Sequence, residues 1–190
     1  VSDPHDILRD DPGIKPLVAE HGELTLEPAR DPFERLVVSI VRQQLSIASA
    51  DAIRERLFER FTVEPSSLRA PSIDALADVG LSERKAETIR NVAVAFEKRG
   101  YSRDYFAEHT DGEVVAELTE ITGIGPWTAK MFLVYGLGRE DVFPVEDLGI
   151  RKGMWAVFDD EMDRAAMVER AERWRPYRSI ASLYLWRVVD

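Results

Sequence analysis

Two short stretches hold the residues whose types and spacing could do chemistry: Leu118–Met131 (LTEITGIGPWTAKM) and Phe143–Arg151 (FPVEDLGIR). In the first, Gly123-Ile124-Gly125 supplies a tight turn, because glycine tolerates backbone angles that other residues resist. Pro126 follows, where a first-turn proline loses little since its missing N–H would be unpaired anyway. The helix it opens begins with unpaired N–H groups, and such a start attracts phosphate. In the second stretch Asp147 offers a carboxylate. A phosphate-holding turn and a nearby carboxylate together could act on a nucleotide.

The elements that must position these residues read as helices. Val114, Leu118 and Ile121 recur at helical spacing up to Thr122. Asp31-Pro32 opens an apolar helix with Phe33, Leu36, Val37, Ile40 and Val41, and Ser46 begins or continues another through Ile47, Ile53, Leu57 and Phe61. Pro65 and Pro71 bracket a loop. Ser72 caps a short helix, and Ser82 caps a longer one ended by Gly100. Thr110 and Glu113 have capping-box spacing. After Asp147, helices are expected near Ile150–Val157, Arg164–Arg173 and Pro176–Val188. No run of strand-like alternation stands out. Asp74–Leu81 followed by Arg84-Lys85-Ala86 faintly copies the glycine turn, either as a second helix–turn–helix or as an ordinary helical corner.

The chain has 190 residues, no cysteine and a formal net charge of −10. Zero cysteine excludes disulfides, thiol nucleophiles, thiolate zinc sites and cysteine-ligated iron–sulfur clusters. Three scattered histidines, His5, His21 and His109, argue against a histidine-rich metal site and are expected at the surface or at helix ends. No apolar run suggests a membrane span, and no secretory signal is expected at the N-terminus. Binding phosphate usually calls for a basic face, yet net charge is global and a local basic surface can coexist with it. The basic residues are mostly Arg. A surface rich in Asp and Glu and poor in Lys suits high salt, where self-repulsion is screened, and points to a halophilic source; the alternative is a merely acidic protein that does not bind nucleic acid.

Gly123-x-Gly125 also has a superficial likeness to a dinucleotide-binding fingerprint. That motif needs a strand before its first glycine, and here the preceding segment is helical. On its own, Asp147 reads better as the N-cap of the helix it precedes than as a catalytic group.

Four blocks in this order, Ile40–Ser46 (IVRQQLS), Leu118–Met131, Asp141–Arg151 (DVFPVEDLGIR) and Glu172–Trp186 (ERWRPYRSIASLYLW), resemble the helix-hairpin-helix DNA glycosylases. Within that superfamily the chain is most similar to the 3-methyladenine DNA glycosylase II group. The resemblance covers about Pro32 to Arg187. It implies an all-α, two-lobed fold with an interlobe cleft, one lobe 31–136 and the other 1–30 plus 137–190. It implies removal of alkylated purines after base flipping.

The resemblance also implies roles for particular residues. The family's catalytic Asp falls on Asp147, where a carboxylate would stabilise positive charge on the sugar as the base leaves. Trp127 stands where bifunctional members carry a Schiff-base lysine, which implies a monofunctional enzyme. Trp186 and Trp127 would offer aromatic faces to a cationic base; Met131 replaces a frequent pocket Tyr. Gln44 would wedge into the gap left by the extruded nucleotide, with Gln43 beside it and Leu45 as a competing wedge. Gly123, Gly125 and Thr128 would grip phosphate through backbone N–H groups. Carbonyls of Thr119, Ile121 and Ile124 would hold a monovalent cation, Na+ or K+. No cofactor is expected to be required. The expected partners are damaged double-stranded DNA and a downstream abasic-site endonuclease, with the chain acting as a cytoplasmic monomer. The rival readings are a glycosylase for oxidised or mismatched bases on the same scaffold, and a non-catalytic hairpin module that only binds DNA.

Overall fold

The computed structural model describes residues 3–158 and 161–189, and among them every regular element is helical. The chain divides into two compact units, 29–137 and 1–28 with 138–190. No helix among the described residues is long and apolar enough to cross a membrane.

The first unit begins with α3 (Pro32–Arg42); α1 (Pro4–Arg9) and α2 (Lys15–His21) precede it in the chain and belong to the second. Asp31 starts α3 by accepting from the N–H groups of Phe33 and Glu34. α3 is buried on most sides, with Leu36, Val37, Ile40 and Val41 wholly or almost wholly enclosed. It is followed by α4 (Ile47–Arg60), α5 (Pro65–Leu68), α6 (Ile73–Ala77) and α7 (Glu83–Arg99). Ser46, Ser72 and Ser82 cap α4, α6 and α7, and Gly100 ends α7 in the left-handed conformation. The segment between Pro65 and Pro71 is not the plain loop expected. Pro65 sits in the first turn of α5, where it needs no N–H partner, and the helix buries Leu68.

α8 (Arg103–Ala107) and α9 (Asp111–Thr119) follow, the latter with the full Thr110–Glu113 capping box. α9 stops at Thr119, three residues short of the expected Thr122, and residues 120–125 form the turn. α10 (Pro126–Met131) runs directly into a π-helical stretch, Phe132–Leu137. Phe96 anchors this unit's aromatic core, edge-on to Phe33 at 5.1 Å and to Phe132 at 6.3 Å. The faint echo at Asp74–Ala86 is a real helix–turn–helix: Gly80 has φ +106°, close to the +99° of Gly123.

The second unit adds α11 (Leu148–Val157), α12 (Arg164–Ala171), a 3-10 turn (Glu172–Trp174) and α13 (Arg178–Val189). Its core gathers Leu8, Ile14, Ile150, Met154, Trp174 and Tyr184. Asp11, buried itself, accepts from the Trp174 indole at 2.9 Å and pairs with Arg170 at 2.6 Å. His5 lies at a helix start, one of the two places expected, though not at the surface. It is buried at the start of α1, its ring nitrogens each 3.0 Å from an acceptor, Asp3 Oδ1 and the Leu24 carbonyl. With Asp3 and Glu23 it forms a grouping of metal-ligating type. Those atoms are engaged otherwise, since Glu23 pairs with Arg9 at 2.6 Å.

The buried Asp11 group sets a measurable property. Burial alone would raise its carboxyl, but the Arg170 and Trp174 hydrogen bonds and the Gly13 N–H outweigh this and hold it below the usual carboxylate range. A depressed folded pKa stabilises the fold above the unfolded value of about 3.9, and that stability is lost as pH falls through the folded value. Asp11→Ala should lower unfolding free energy by about 3–5 kcal/mol at neutral pH, because Arg170 is left without its partner. It should also flatten the acid limb of the stability curve, as read by urea melts across pH.

Candidate active site

In the second unit, Asp147 is the N-cap of α11. Its Oδ1 accepts two hydrogen bonds, from Ile150 N–H at 3.0 Å and from the Trp186 indole N–H at 2.9 Å. The capping reading of Asp147 therefore holds geometrically, and the second donor fixes the carboxylate further. Trp186 is half-buried on α13. Its hydrogen bond to Asp147 is not visible in the sequence.

Two glycines make this pairing possible. A Cβ on Gly149 would lie 2.9 Å from Asp147 Oδ1 and 3.0 Å from Trp186 Cδ1. A Cβ on Gly153 would lie 2.5 Å from the Leu185 carbonyl oxygen. Four residues apart, the two glycines share one face of α11 and let it approach α13 closely. Neither was singled out from sequence, although their spacing is the signal that could have found them.

The loop leading to Asp147 is clipped to the same helix. Arg178 donates from Nε to Asp141 Oδ1 at 2.7 Å and from Nη2 to the Asp141 carbonyl at 3.0 Å. Arg175 reaches Asp141 Oδ2 at 2.6 Å, and Glu172 bridges both arginines. Ser179 accepts from Val142 N–H and donates to the Arg139 carbonyl. The blocks Asp141–Arg151 and Glu172–Trp186 are thus two sides of one structure.

In the first unit the Gln43–Leu45 segment follows α3. Gln44 has φ +55°, the one non-glycine residue with positive φ among those described. Left-handed backbone costs about 1–2 kcal/mol for a residue with a Cβ. The surroundings that hold it are specific. Gln43 Nε2 donates to Thr128 Oγ1 at 2.9 Å and to the Gly123 carbonyl at 3.4 Å, tying the segment to the hairpin. Lys85 Nζ donates to the carbonyls of Val41 at 2.7 Å and Gln43 at 2.6 Å. Burial lowers the Lys85 pKa. Leu45 is 41% exposed and Ile47 72% exposed, two large apolar side chains facing solvent beside Gln44. Lys85 and Ile47 escaped sequence reasoning, since a lysine in a helix and an isoleucine after a cap look ordinary.

The hairpin turn is sterically determined. Gly123 has φ +99°, and a Cβ there would collide with the Thr88 side chain on α7. Gly125, the N-cap of α10, has nothing within 4 Å of where its Cβ would stand, so the approach to the helix start is open. Thr128 is buried, Trp127 half-buried and Met131 buried on α10. Thr119 ends α9, Ile121 and Ile124 are buried in the turn, and the Ile121 carbonyl accepts from Ile124 N–H at 3.0 Å.

Residues 37–178 match the model of the HhH-GPD superfamily base excision DNA repair proteins. The chain belongs to this superfamily. It is 31% identical to the DNA-3-methyladenine glycosylase of Saccharomyces cerevisiae over 97% of this chain and 78% of the yeast protein. It spans 66% of the length of a Bacillus subtilis relative to which it is 28% identical. Among solved structures it resembles the Schizosaccharomyces pombe 3-methyladenine DNA glycosylase in complex with abasic DNA. The TM-score is 0.87 at 27% identity, over 98% of this chain and 96% of that one. A DNA-3-methyladenine glycosidase from Bacillus halodurans matches with TM-score 0.77 at 33% identity, over 96% and 91% of the two chains. The dinucleotide reading of the glycine turn fails, because α9 precedes the turn in place of a strand.

The strain at Gln44 and its restraint by Lys85 are open to test. Gln44→Gly should raise unfolding free energy by up to about 1 kcal/mol, because glycine accepts this φ without strain. Lys85→Met should lower it by about 1–3 kcal/mol, because two carbonyls lose a charged donor. Urea melts measure both. A Gln44→Gly protein less stable than the parent would show that the backbone stores no strain there.

Proposed function

We propose that the chain is a monofunctional DNA-3-methyladenine glycosylase, which hydrolyses the glycosidic bond of alkylated purines in double-stranded DNA. Family membership and the named relatives support alkylbase excision in base excision repair. The observation that carries the assignment to residues is Asp147, a carboxylate oriented by two N–H donors at the start of α11.

The reaction follows from that group's chemistry. As the glycosidic bond breaks, its electron pair leaves with the cationic base, which becomes neutral, and positive charge moves onto the sugar. The Asp147 carboxylate stabilises this charge electrostatically. Water adds its oxygen to the anomeric carbon, and its proton passes to the carboxylate and then to solvent. The products are a free base and an abasic site, which a downstream abasic-site endonuclease would consume. Trp186 holds Asp147 through its N–H, and its ring face is assigned to the cationic base. Trp127 and Met131 are assigned to base binding on the family motif.

Gln44 is assigned as the wedge that holds the duplex open, with Leu45 and Ile47 as apolar neighbours that cover unstacked bases. The N–H groups near Gly123, Gly125 and Thr128 are assigned to phosphate, which positions the duplex without reading sequence. The Thr119, Ile121 and Ile124 carbonyls are neutral oxygen donors of the kind that suits Na+ or K+. Ile121 keeps a second lone pair beyond its turn hydrogen bond. Such a cation would reduce the repulsion between the acidic chain and the phosphate. No part of the reaction depends on a redox group.

Two outcomes test this reading. Asp147→Asn should slow single-turnover release of 7-methylguanine by at least about a hundredfold, with duplex affinity little changed. Near-normal release by the folded variant would remove Asp147 from catalysis. Borohydride should trap no protein–DNA adduct, and strands should remain intact until alkali is added, because Trp127 cannot form a Schiff base. An adduct at Lys130 or Lys152 would establish lyase chemistry instead.

A further inference from the structure

The first unit carries a feature that neither the hairpin nor Asp147 uses. A concavity of about 820 Å³ opens beside α3, lined by Arg30, Arg35, Arg42, Arg54 and Arg103. Five arginines line it in a chain of net charge −10. Only two acids, Asp31 and Glu34, are among the lining residues, and Asp31 is occupied in capping α3.

The arginines divide by what they already hold. Arg103 is structural, donating to the carbonyls of Ala29, Gly136 and Leu137. Arg42 lies 3.5 Å from Asp51. Arg30, Arg35 and Arg54 form no ion pair among the described residues. The Nε atoms of Arg35 and Arg54 are buried without a hydrogen-bond partner. Arg35 rests on the Tyr135 ring at 4.6 Å and Arg54 on the Phe58 ring at 5.7 Å, so aromatic faces hold both guanidinium groups in place. Burial, then the like charge of Arg42, lowers the Arg35 pKa. A buried donor left unpaired costs about 1–3 kcal/mol, and one explanation for such a group in a native fold is an ion that completes it.

We propose that this concavity is a binding site for a phosphate-bearing anion, with Arg35 and Arg54 as its principal ligands. A guanidinium fork presents paired N–H donors that match phosphate oxygens bidentately. Unpaired forks from α3 and α4 and from Arg30 suit a group with several charged oxygens better than a single carboxylate. The phosphates come from one of two sources, a free polyphosphate-type anion or the flank of a bound nucleic acid.

The test is calorimetric titration of the full chain with inorganic tripolyphosphate at constant ionic strength, with a duplex titrated in parallel. Wild type should bind tripolyphosphate, and Arg35→Gln and Arg54→Gln should each weaken it at least tenfold, whereas Arg60→Gln, outside the concavity, should not. The tripolyphosphate result stands independently of the glycosylase reading. If duplex flanks are the source, tripolyphosphate competes with duplex and both variants reduce the salt dependence of duplex binding. If a free anion is the source, duplex binding is unchanged. Circular dichroism verifies the fold of each variant, and Arg54→Gln, on the partly exposed side of α4, carries the test should Arg35→Gln not fold. Failure of wild type to bind tripolyphosphate, or binding by the folded variants as tight as that of wild type, overturns the proposal.

Discussion

The hydrogen bond from the Trp186 indole to Asp147 Oδ1 is the contact on which the placing of the candidate catalytic carboxylate depends. A carboxylate that caps a helix is already held on one side by the Ile150 N–H. The indole adds a donor from another helix, so the carboxylate is fixed relative to α13 as well as α11. That requires the helices to lie close, and Gly149 and Gly153 supply the room. It also requires the loop before Asp147 to end in register, which the Asp141–Arg178 clip and the Ser179 hydroxyl secure. Electrostatic stabilisation is effective when such groups need not reorganise as charge develops.

The first unit solves a different problem, holding strained backbone in place. Gln44, in left-handed backbone, follows a residue held twice: Lys85 from α7 donates to the Gln43 carbonyl, and the Gln43 amide donates to Thr128. The hairpin rests on α7 through the Gly123–Thr88 approach. One helix, α7, therefore supports both the segment after α3 and the turn before α10. Strain of this kind persists only where the surroundings over-determine it, and it clusters at functional positions.

Much of the helical scaffold was legible because its punctuation is chemical. Asp31, Ser46, Ser72, Ser82 and the Thr110–Glu113 box all start helices where their side chains can accept from free N–H groups. Gly100 ends α7 for a different local reason, because glycine accepts the left-handed backbone that closes a helix. Pro65 misled because proline marks both loops and first turns, and only tertiary burial of Leu68 decides between them. The π-helical stretch at Phe132–Leu137 has no local sign in an apolar run. At the site, Asp147 and Trp186 were readable as motif positions, but the bond between them spans 39 residues of chain and no periodicity encodes it. Lys85 was missed for the same reason, since its role lies in two backbone carbonyls that leave no side-chain signature. The five-arginine concavity was invisible in a composition dominated by acid, because net charge averages over the surface that a fold separates.

Hydrolytic release of cationic alkylated purines is the step on which the proposed function stands or falls. The most direct measurement is chromatography of free bases released by the purified protein from a methylated duplex and, in parallel, from a duplex bearing 8-oxoguanine. Release of 3-methyladenine and 7-methylguanine is expected, with 8-oxoguanine released far more slowly. Faster release of 8-oxoguanine, or no free base from either duplex, would contradict it.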